Sequence, residues 1–216
     1  MRVRSYQLLC PVARSLDVLG DRWTLLLLRD LHAGPAGFTE LQRGLGMATN
    51  LLSTRLRELV DAGMVEKTDD AYALTEVGRS TDRVLWELVR FGSTIDRDPH
   101  PKEPGNLRTI ALPLRMMLLG VADRPSLTVW LDVDDEEFQI VTTTDDVVVR
   151  LRQPSDELDG VDLHLRTEYV GFLDLAERRI SLSEFAHDHR EIVHGGEHLP
   201  AFAAMIARAL ELAHLG

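Results

Sequence analysis

The chain has 216 residues, of which 44% are hydrophobic and 27% are charged, and its formal net charge is −11. This balance is ordinary for a globular protein, and it excludes a wholly disordered or collagen-like chain. The single cysteine excludes an intramolecular disulfide and a multi-cysteine metal site. No apolar run approaches the length of a membrane span, and the N-terminus lacks the apolar stretch of a secretory signal, so we expect a cytoplasmic protein without membrane contact.

The charge is distributed unevenly along the chain. Residues 1–60 hold 8 Lys and Arg against 5 Asp and Glu, whereas residues 99–216 hold 11 against 21. A strongly acidic chain is a poor partner for nucleic acid, but a basic segment within it can still attract phosphate locally. The asymmetry therefore predicts two domains with different tasks.

Helical patterns dominate the first half of the chain. They predict helices at about 11–20, 22–32, 39–45 and 50–62, then two short strands around a turn at Asp69-Asp70, and a last helix at 75–95. We expect Asp21 to cap the second helix, Thr49 or Asn50 the fourth, and Thr75 the last. A short helix, a glycine-containing turn, a longer helix and a strand pair follow the order of a winged helix-turn-helix.

Prolines divide the chain at 97–106, where three prolines and a glycine predict a linker. A helix at 107–119 follows it. Strands are then predicted at about 126–133, 137–143, 147–152, 161–166 and 191–194, with helices at about 168–177, 183–187 and 200–214. The predicted fold class is α+β, with a winged helix-turn-helix domain at 1–96, a linker at 97–106 and a second α+β domain at 107–216.

The longer helix of the helix-turn-helix carries a polar face. If Leu52, Leu56 and Leu59 face the core, small and polar side chains occupy the opposite side of the helix. Asn pairs with adenine edges, Arg pairs with guanine edges or phosphate, and small hydroxyl groups allow close approach to the major groove. The alternative is a solvated face on a structural helix. The predicted DNA-binding residues are Thr49, Asn50, Ser53, Thr54, Arg55 and Arg57.

Several stretches carry a family resemblance, namely CP at 10–11, LGDRWT at 19–24, FTEL at 38–41, LSTRLREL at 52–59, AGMV at 62–65 and YALTEVGR at 72–79. Through them, residues 10–92 resemble the HxlR-type family of bacterial winged-helix regulators, a branch similar to MarR-type proteins. The resemblance implies a homodimeric transcriptional regulator, with a dimer interface on the first and last helices and a wing that reaches the minor groove. Asp69 and Asp70 at the wing tip depart from this pattern, because carboxylates repel phosphate.

Cys10 precedes Pro11 at a predicted helix start. In some HxlR-type proteins the cysteine at this place is a redox or electrophile sensor, so the resemblance makes Cys10 a candidate redox sensor. Because the chain has one cysteine, any disulfide would join two chains. The alternative is a small residue buried at the dimer interface.

Residues 124–213 resemble a sterol-carrier-protein-2-like (SCP2-like) domain in the order of their strands and helices and in the run at 162–185. The resemblance implies an apolar tunnel between sheet and helices that holds a lipid or another hydrophobic ligand. The alternative is that the same side chains form an ordinary core. The expected pocket residues are Trp130, Phe138, Ile140, Phe172, Leu173, Phe185, Phe202, Met205 and Ile206.

No motif for catalysis or metal binding is present. Five histidines between 187 and 214 lie among acidic residues, but their spacing matches no known ligand set, and no nucleophile motif or phosphate loop is found. We therefore expect no enzyme activity, no metal and no cofactor.

Together, these patterns predict a bacterial transcriptional regulator that binds double-stranded operator DNA as a homodimer and is modulated by an apolar small molecule in its C-terminal domain. One alternative is a thiol-based redox-sensing or electrophile-sensing regulator that acts through Cys10. Another is a lipid or small-molecule carrier that uses the winged helix only to dimerise.

Overall fold

The computed structural model describes residues 10–95, 106–153, 156, 160–176 and 179–214. The chain forms two compact units, Met1–Thr109 and Ile110–Gly216. The predicted linker at 97–106 lies outside the described residues apart from Asn106. Among the residues described, no helix combines the length and the apolarity that a membrane crossing requires.

The first unit is a bundle of helices with a small two-stranded sheet. Its elements are α1 (Pro11–Leu19), α2 (Arg22–Leu31), α3 (Phe38–Leu45), α4 (Thr49–Asp61), β1 (Val65–Lys67), β2 (Tyr72–Leu74), α5 (Glu76–Arg79) and α6 (Asp82–Ser93). The single helix predicted at 75–95 is therefore two helices. Thr75 caps the first of them, and the buried hydroxyl of Thr81 donates to the carbonyl of Gly78 where the chain leaves α5.

The caps of α2 and α4 differ in how well the sequence predicted them. The carboxylate of Asp21 accepts a hydrogen bond from the backbone of Trp23, as expected for an N-cap. The N-cap of α4 is Ala48, so the prediction of Thr49 or Asn50 was wrong by one or two residues. The Thr49 hydroxyl instead accepts a hydrogen bond from Nε2 of Gln42 at 2.8 Å, which links α4 to α3.

Leucines form the core of the first unit. Leu27 and Leu28 of α2 and Leu41 of α3 have no exposed surface. The leucines of α4 at positions 52, 56 and 59 are at most 2% exposed. Burial of this stripe fixes which side of α4 faces outward.

The second unit combines a five-stranded sheet with helices. A 3-10 helix at Leu107–Ile110 precedes it, and its elements are α7 (Ala111–Leu119), β3 (Leu127–Val133), β4 (Glu136–Thr142), β5 (Val147–Leu151), β6 (Leu163–Thr167), α8 (Tyr169–Ala176), α9 (Leu182–Asp188), β7 (Arg190–His194), a 3-10 helix at Gly196–His198 and α10 (Leu199–His214). The strand order is β5-β4-β3-β6-β7, in which β3 and β6 are parallel and the other neighbours are antiparallel. The fold is α+β.

The two faces of this sheet differ in character. Val129, Ile140 and Val149 lie side by side on adjacent strands and are at most 2% exposed. Helix α7 packs against β5, and α10 packs against α7. Because side chains alternate along a strand, the residues at 130, 139, 150 and 164 share the opposite face, which is mostly polar.

Gly46 and Gly92 form a matched pair for testing the turn between α3 and α4. A Cβ added at either position would meet nothing within 4 Å, so the two alanine substitutions differ in backbone conformation and not in packing. Gly46, which follows α3, has a φ of +63°, whereas Gly92 lies within α6. We expect Gly46→Ala to lower the free energy of unfolding by about 1–2 kcal/mol, since an L side chain is strained in this region. Gly92→Ala should leave stability unchanged or raise it, because alanine is the better helix former. Urea unfolding followed by circular dichroism measures both, and equal effects would contradict the assigned turn.

Candidate functional site

The outward face of α4 presents polar side chains in a row. Thr49, Asn50 and Arg57 are exposed, and Ser53 and Thr54 are half-buried. Burial of the leucine stripe on the opposite side leaves this face free of the core. A face of this kind has the size and polarity that a helix needs to enter a major groove.

The polar groups on this face differ in how far the protein already uses them. The guanidinium of Arg57 forms no ion pair with any residue that the structure describes. The hydroxyl of Thr54 donates to the carbonyl of Asn50 at 2.9 Å, and that of Thr49 accepts from Gln42. The groups with most remaining hydrogen-bonding capacity are therefore the side chains of Asn50, Ser53 and Arg57.

Arg55 lies next to this face but is engaged inside the protein. Its Nη2 donates to Oδ2 of Asp21 at 2.9 Å, and its Nη1 donates to Oε2 of Glu58 at 2.6 Å. Its side chain is 24% exposed. Because Asp21 also caps α2, Arg55 connects the start of α2 to the middle of α4, which is a structural role.

The wing is short and acidic at its tip. Val65 pairs with Leu74 and Lys67 with Tyr72, while Asp69 and Asp70 at the turn are exposed. Tyr72 also exchanges two backbone hydrogen bonds with Ala36, so the loop between α2 and α3 adds a further bridge to the wing. The wing is thus well anchored, but its tip repels phosphate.

Two helices of the first unit expose apolar side chains. On α1, Val12 is 66% and Leu16 is 45% exposed, and on α6, Leu88 is 44% and Phe91 is 64% exposed. Cys10 is exposed at the N-cap of α1, and its side chain makes no capping hydrogen bond. In the described chain, Cys10 is accessible and packs against no core.

The residues predicted to line a pocket do not form one group. Phe138, Ile140, Phe202 and Met205 are buried, the first two on the apolar face of the sheet. Four other residues of the predicted pocket, which lie on α8, α9 and α10, are half-buried, namely Phe172, Leu173, Phe185 and Ile206. Trp130 faces the opposite side of the sheet from Phe138, since Leu131 is the residue paired with Phe138.

Trp130 belongs to a polar cluster that the sequence analysis missed. The guanidinium of Arg152 lies 4.2 Å from the centre of the Trp130 ring, and the His164 ring meets it edge-on with 6.0 Å between centroids. Nε2 of His164 is 3.0 Å from Oδ2 of Asp132. The alternation of polar residues on β3 and β6 was the available signal, but the pairing of the strands was needed to bring these residues together.

Beside this cluster, Arg150 donates two hydrogen bonds of 2.7 Å to the carboxylate of Asp156. These bonds, and one from the backbone of Gln153, lower the pKa of Asp156.

The residues that the structure describes contain no group of His, Cys, Asp and Glu that could hold a metal ion.

Comparison with known proteins places the first unit in a family. The HxlR-like helix-turn-helix model matches residues 18–99. An HTH-type transcriptional regulator of Synechocystis is 31% identical over 93 residues, which cover 39% of this chain and 69% of that protein. The chain belongs to the HxlR-like helix-turn-helix family.

A second relative has a higher sequence identity to this chain, but a smaller share of its own length is covered. An HTH-type transcriptional regulator of Mycobacterium tuberculosis is 36% identical over 100 residues, or 43% of this chain. The chain spans 62% of the length of that protein.

Two solved structures are each similar to part of the chain. The quinone-bound YodB of Bacillus subtilis is 31% identical, with a TM-score of 0.38, covering 40% of this chain and all of that one. The ubiquinone synthesis protein UbiJ-SCP2 is 14% identical, with a TM-score of 0.36, covering 54% of this chain and 98% of that one.

Proposed function

We propose that this HxlR-like protein is a transcriptional regulator that binds double-stranded operator DNA in the cytoplasm through α4. The observation that carries the proposal is the outward face of α4, where Asn50, Ser53 and Arg57 keep free hydrogen-bonding groups opposite a buried leucine stripe. Relatives named as HTH-type transcriptional regulators support it. In this proposal Arg55 supports the helix, and the hydroxyl groups of Thr49 and Thr54 are already bonded to Gln42 and to the carbonyl of Asn50.

Selection from a random duplex pool tests DNA binding. We expect an enriched palindromic site that Asn50→Ala and Arg57→Ala bind less tightly, by about 1–3 kcal/mol for a side chain that contacts a base edge. Arg208→Ala is the matched control, because Arg208 is an exposed arginine of the second unit, 56% exposed, and its loss should leave affinity unchanged. Absence of enrichment at low salt, or equal affinity of all variants, would contradict the proposal.

We further propose that the regulator is a homodimer formed through α1 and α6. Val84, Leu88 and Phe91 follow one another at helical spacing on α6 and are 44–64% exposed, and Val12 and Leu16 of α1 are also exposed. An apolar stripe of this kind is costly in water and suits a second copy of the same chain. A symmetric dimer would also present two α4 helices to a palindromic site.

Replacement of one residue in this stripe tests the dimer. Phe91→Glu places a charge on the proposed interface, so we expect a monomer by sedimentation equilibrium at micromolar concentration. Val148→Glu is the control, because Val148 is 40% exposed on β5 in the second unit and lies outside the stripe. A dimer that survives Phe91→Glu, or a parent that is monomeric throughout, would contradict this interface.

We propose that the second unit takes an apolar effector against the half-buried side chains of α8 and α9. Phe172 and Leu173 of α8 and Phe185 of α9 are incompletely covered, and the two helices contact each other. An apolar ligand would complete the burial of these side chains and stabilise the state to which it binds. Trp130 is not part of this proposal, because it faces away from Phe138.

A series of straight-chain fatty acids is a suitable first probe of the effector site. We expect at least one member to raise the melting temperature of the parent and of Val170→Ala, whose side chain is 62% exposed on α8. Phe172→Ala should lose the response. If no member shifts the parent, or if both variants respond alike, the effector is not apolar or does not bind at α8.

A further inference from the structure

Arg108 is a buried arginine whose partners all lie in the first unit. It is 5% exposed, and it stands outside the 18–99 segment that the family model matches. Its Nε donates to the carbonyl of Asp30 at 3.0 Å, and its Nη2 donates to the carbonyls of Gly34 and Pro35. Its Nη1 pairs with Oε1 of Glu40. All three nitrogens of its guanidinium are therefore used, which satisfies a charge that is expensive to bury.

Asn106 adds a second contact from the same segment. Its Nδ2 donates to Oδ2 of Asp30 at 2.8 Å, and Asp30 itself has no exposed surface. Asn106 also packs against Gly44 of α3, where an added Cβ would come within 2.7 Å of Nδ2 and 3.2 Å of Cβ of Asn106. Residues 106–108 thus dock on the end of α2, on the α2–α3 loop and on α3.

Arg108 contacts α3, and α3 in turn is hydrogen-bonded to α4. Glu40 accepts from Arg108 through one oxygen and from the backbone of Gly37 through the other, which caps α3. Two residues further along α3, Gln42 donates to Thr49, the first residue of α4. Arg108 is therefore connected to the start of α4 through Glu40 and Gln42 of α3.

The same side chain also restrains the base of the wing. The carbonyls of Gly34 and Pro35, which accept from Arg108, immediately precede Ala36, which exchanges two backbone hydrogen bonds with Tyr72 of β2. Both α4 and the wing are thus attached to elements that Arg108 contacts.

We propose that Arg108 is a positioning residue for DNA binding, which fixes α3 and the α2–α3 loop and through them the orientation of α4 and the wing. This inference rests on the proposed function, because it assigns the buried Arg108 an indirect role in DNA binding. It makes the helix-turn-helix dependent on the residues that lead into the second unit, because Ile110 follows Arg108 by two positions and opens that unit. Any event that displaces residues 106–108 would weaken DNA binding.

Arg108→Lys in the full chain tests the proposal. Lysine keeps the positive charge but lacks the planar fork that reaches three carbonyls and a carboxylate at once. We expect faster amide hydrogen exchange in residues 33–45, and an affinity for the selected duplex lowered about tenfold.

Arg124→Lys is the matched control. Arg124 is 9% exposed and donates to the carbonyls of Leu119, Val121, Thr143 and Thr144, all within the second unit. Its substitution removes a comparable set of hydrogen bonds without touching the first unit. We expect unchanged exchange in residues 33–45 and unchanged DNA affinity.

Gly44→Ala provides a second variant that does not remove a buried charge. Alanine is the better helix former, so this change should stabilise α3 if nothing packs against it. If residues 106–108 dock as described, the new methyl group displaces Asn106, and exchange in residues 33–45 becomes faster. Slower exchange in Gly44→Ala would overturn the docking, even if Arg108→Lys fails to fold.

The two readouts separate this inference from the proposed function. Exchange that is unchanged in Arg108→Lys overturns the positioning role whatever the DNA result. Faster exchange with unchanged DNA affinity overturns it as well, because the docking then has no effect on α4. If the parent selects no duplex, the proposed function fails, and with it the role in DNA binding, while the exchange data still decide whether Arg108 fixes α3.

Discussion

The carboxylate of Asp30 has no exposed surface, and this single constraint organises the first unit. A buried charge must find its partners inside the protein. Arg29 donates to it through Nε and Nη2, and Asn106 donates through its side-chain amide. Arg108 binds the backbone carbonyl of the same residue. Residues 106–108 thus contact the end of α2, and the first unit extends to Thr109, beyond α6.

Helix α2 carries an aspartate near each end, and each one joins it to another part of the unit. Asp21 caps the helix and holds Arg55 of α4, while Asp30 holds residues 106–108. Between them, Leu27 and Leu28 fill the core. Because α2 is held at both ends by such contacts, the position of α4 depends on the half-buried Asp21–Arg55 ion pair and on the leucine core. The polar face of α4 can then remain free for a partner.

The sequence predicted elements well where the signal was local and poorly where it was distant. Asp21 marked the start of α2, and a glycine-containing turn marked the step from α3 to α4. The break between α5 and α6 was missed, because the hydrogen bond from Thr81 to Gly78 that accompanies it has no sequence signature. The start of α4 was missed, because its N-cap, Ala48, has no capping side chain. Asp21 lies 34 residues from Arg55, and the partners of Arg108 that accept from its guanidinium lie 68 or more residues from it, so no local pattern predicts these contacts. Trp130 was grouped with Phe138 by apolarity alone, although the register of β3 and β4 turns them to opposite faces.

The distribution of cations indicates how the proposed DNA complex must obtain its affinity. Arg29, Arg55 and Arg108 are paired inside the first unit, which leaves Arg43 and Arg57 as the exposed arginines of α3 and α4 without an ion pair in the described chain. The wing tip is acidic, and residues 99–216 hold 21 acidic against 11 basic residues. In the proposed complex, α3 and α4 would neutralise few phosphates, so we expect low non-specific affinity. In the proposed complex, specific binding would depend on base-edge contacts and on the doubling of those contacts in the proposed dimer, since phosphate contacts alone carry no sequence information. The specificity of such a regulator would depend on the orientation of α4, which is the property that the contacts of α2 and α3 are proposed to fix.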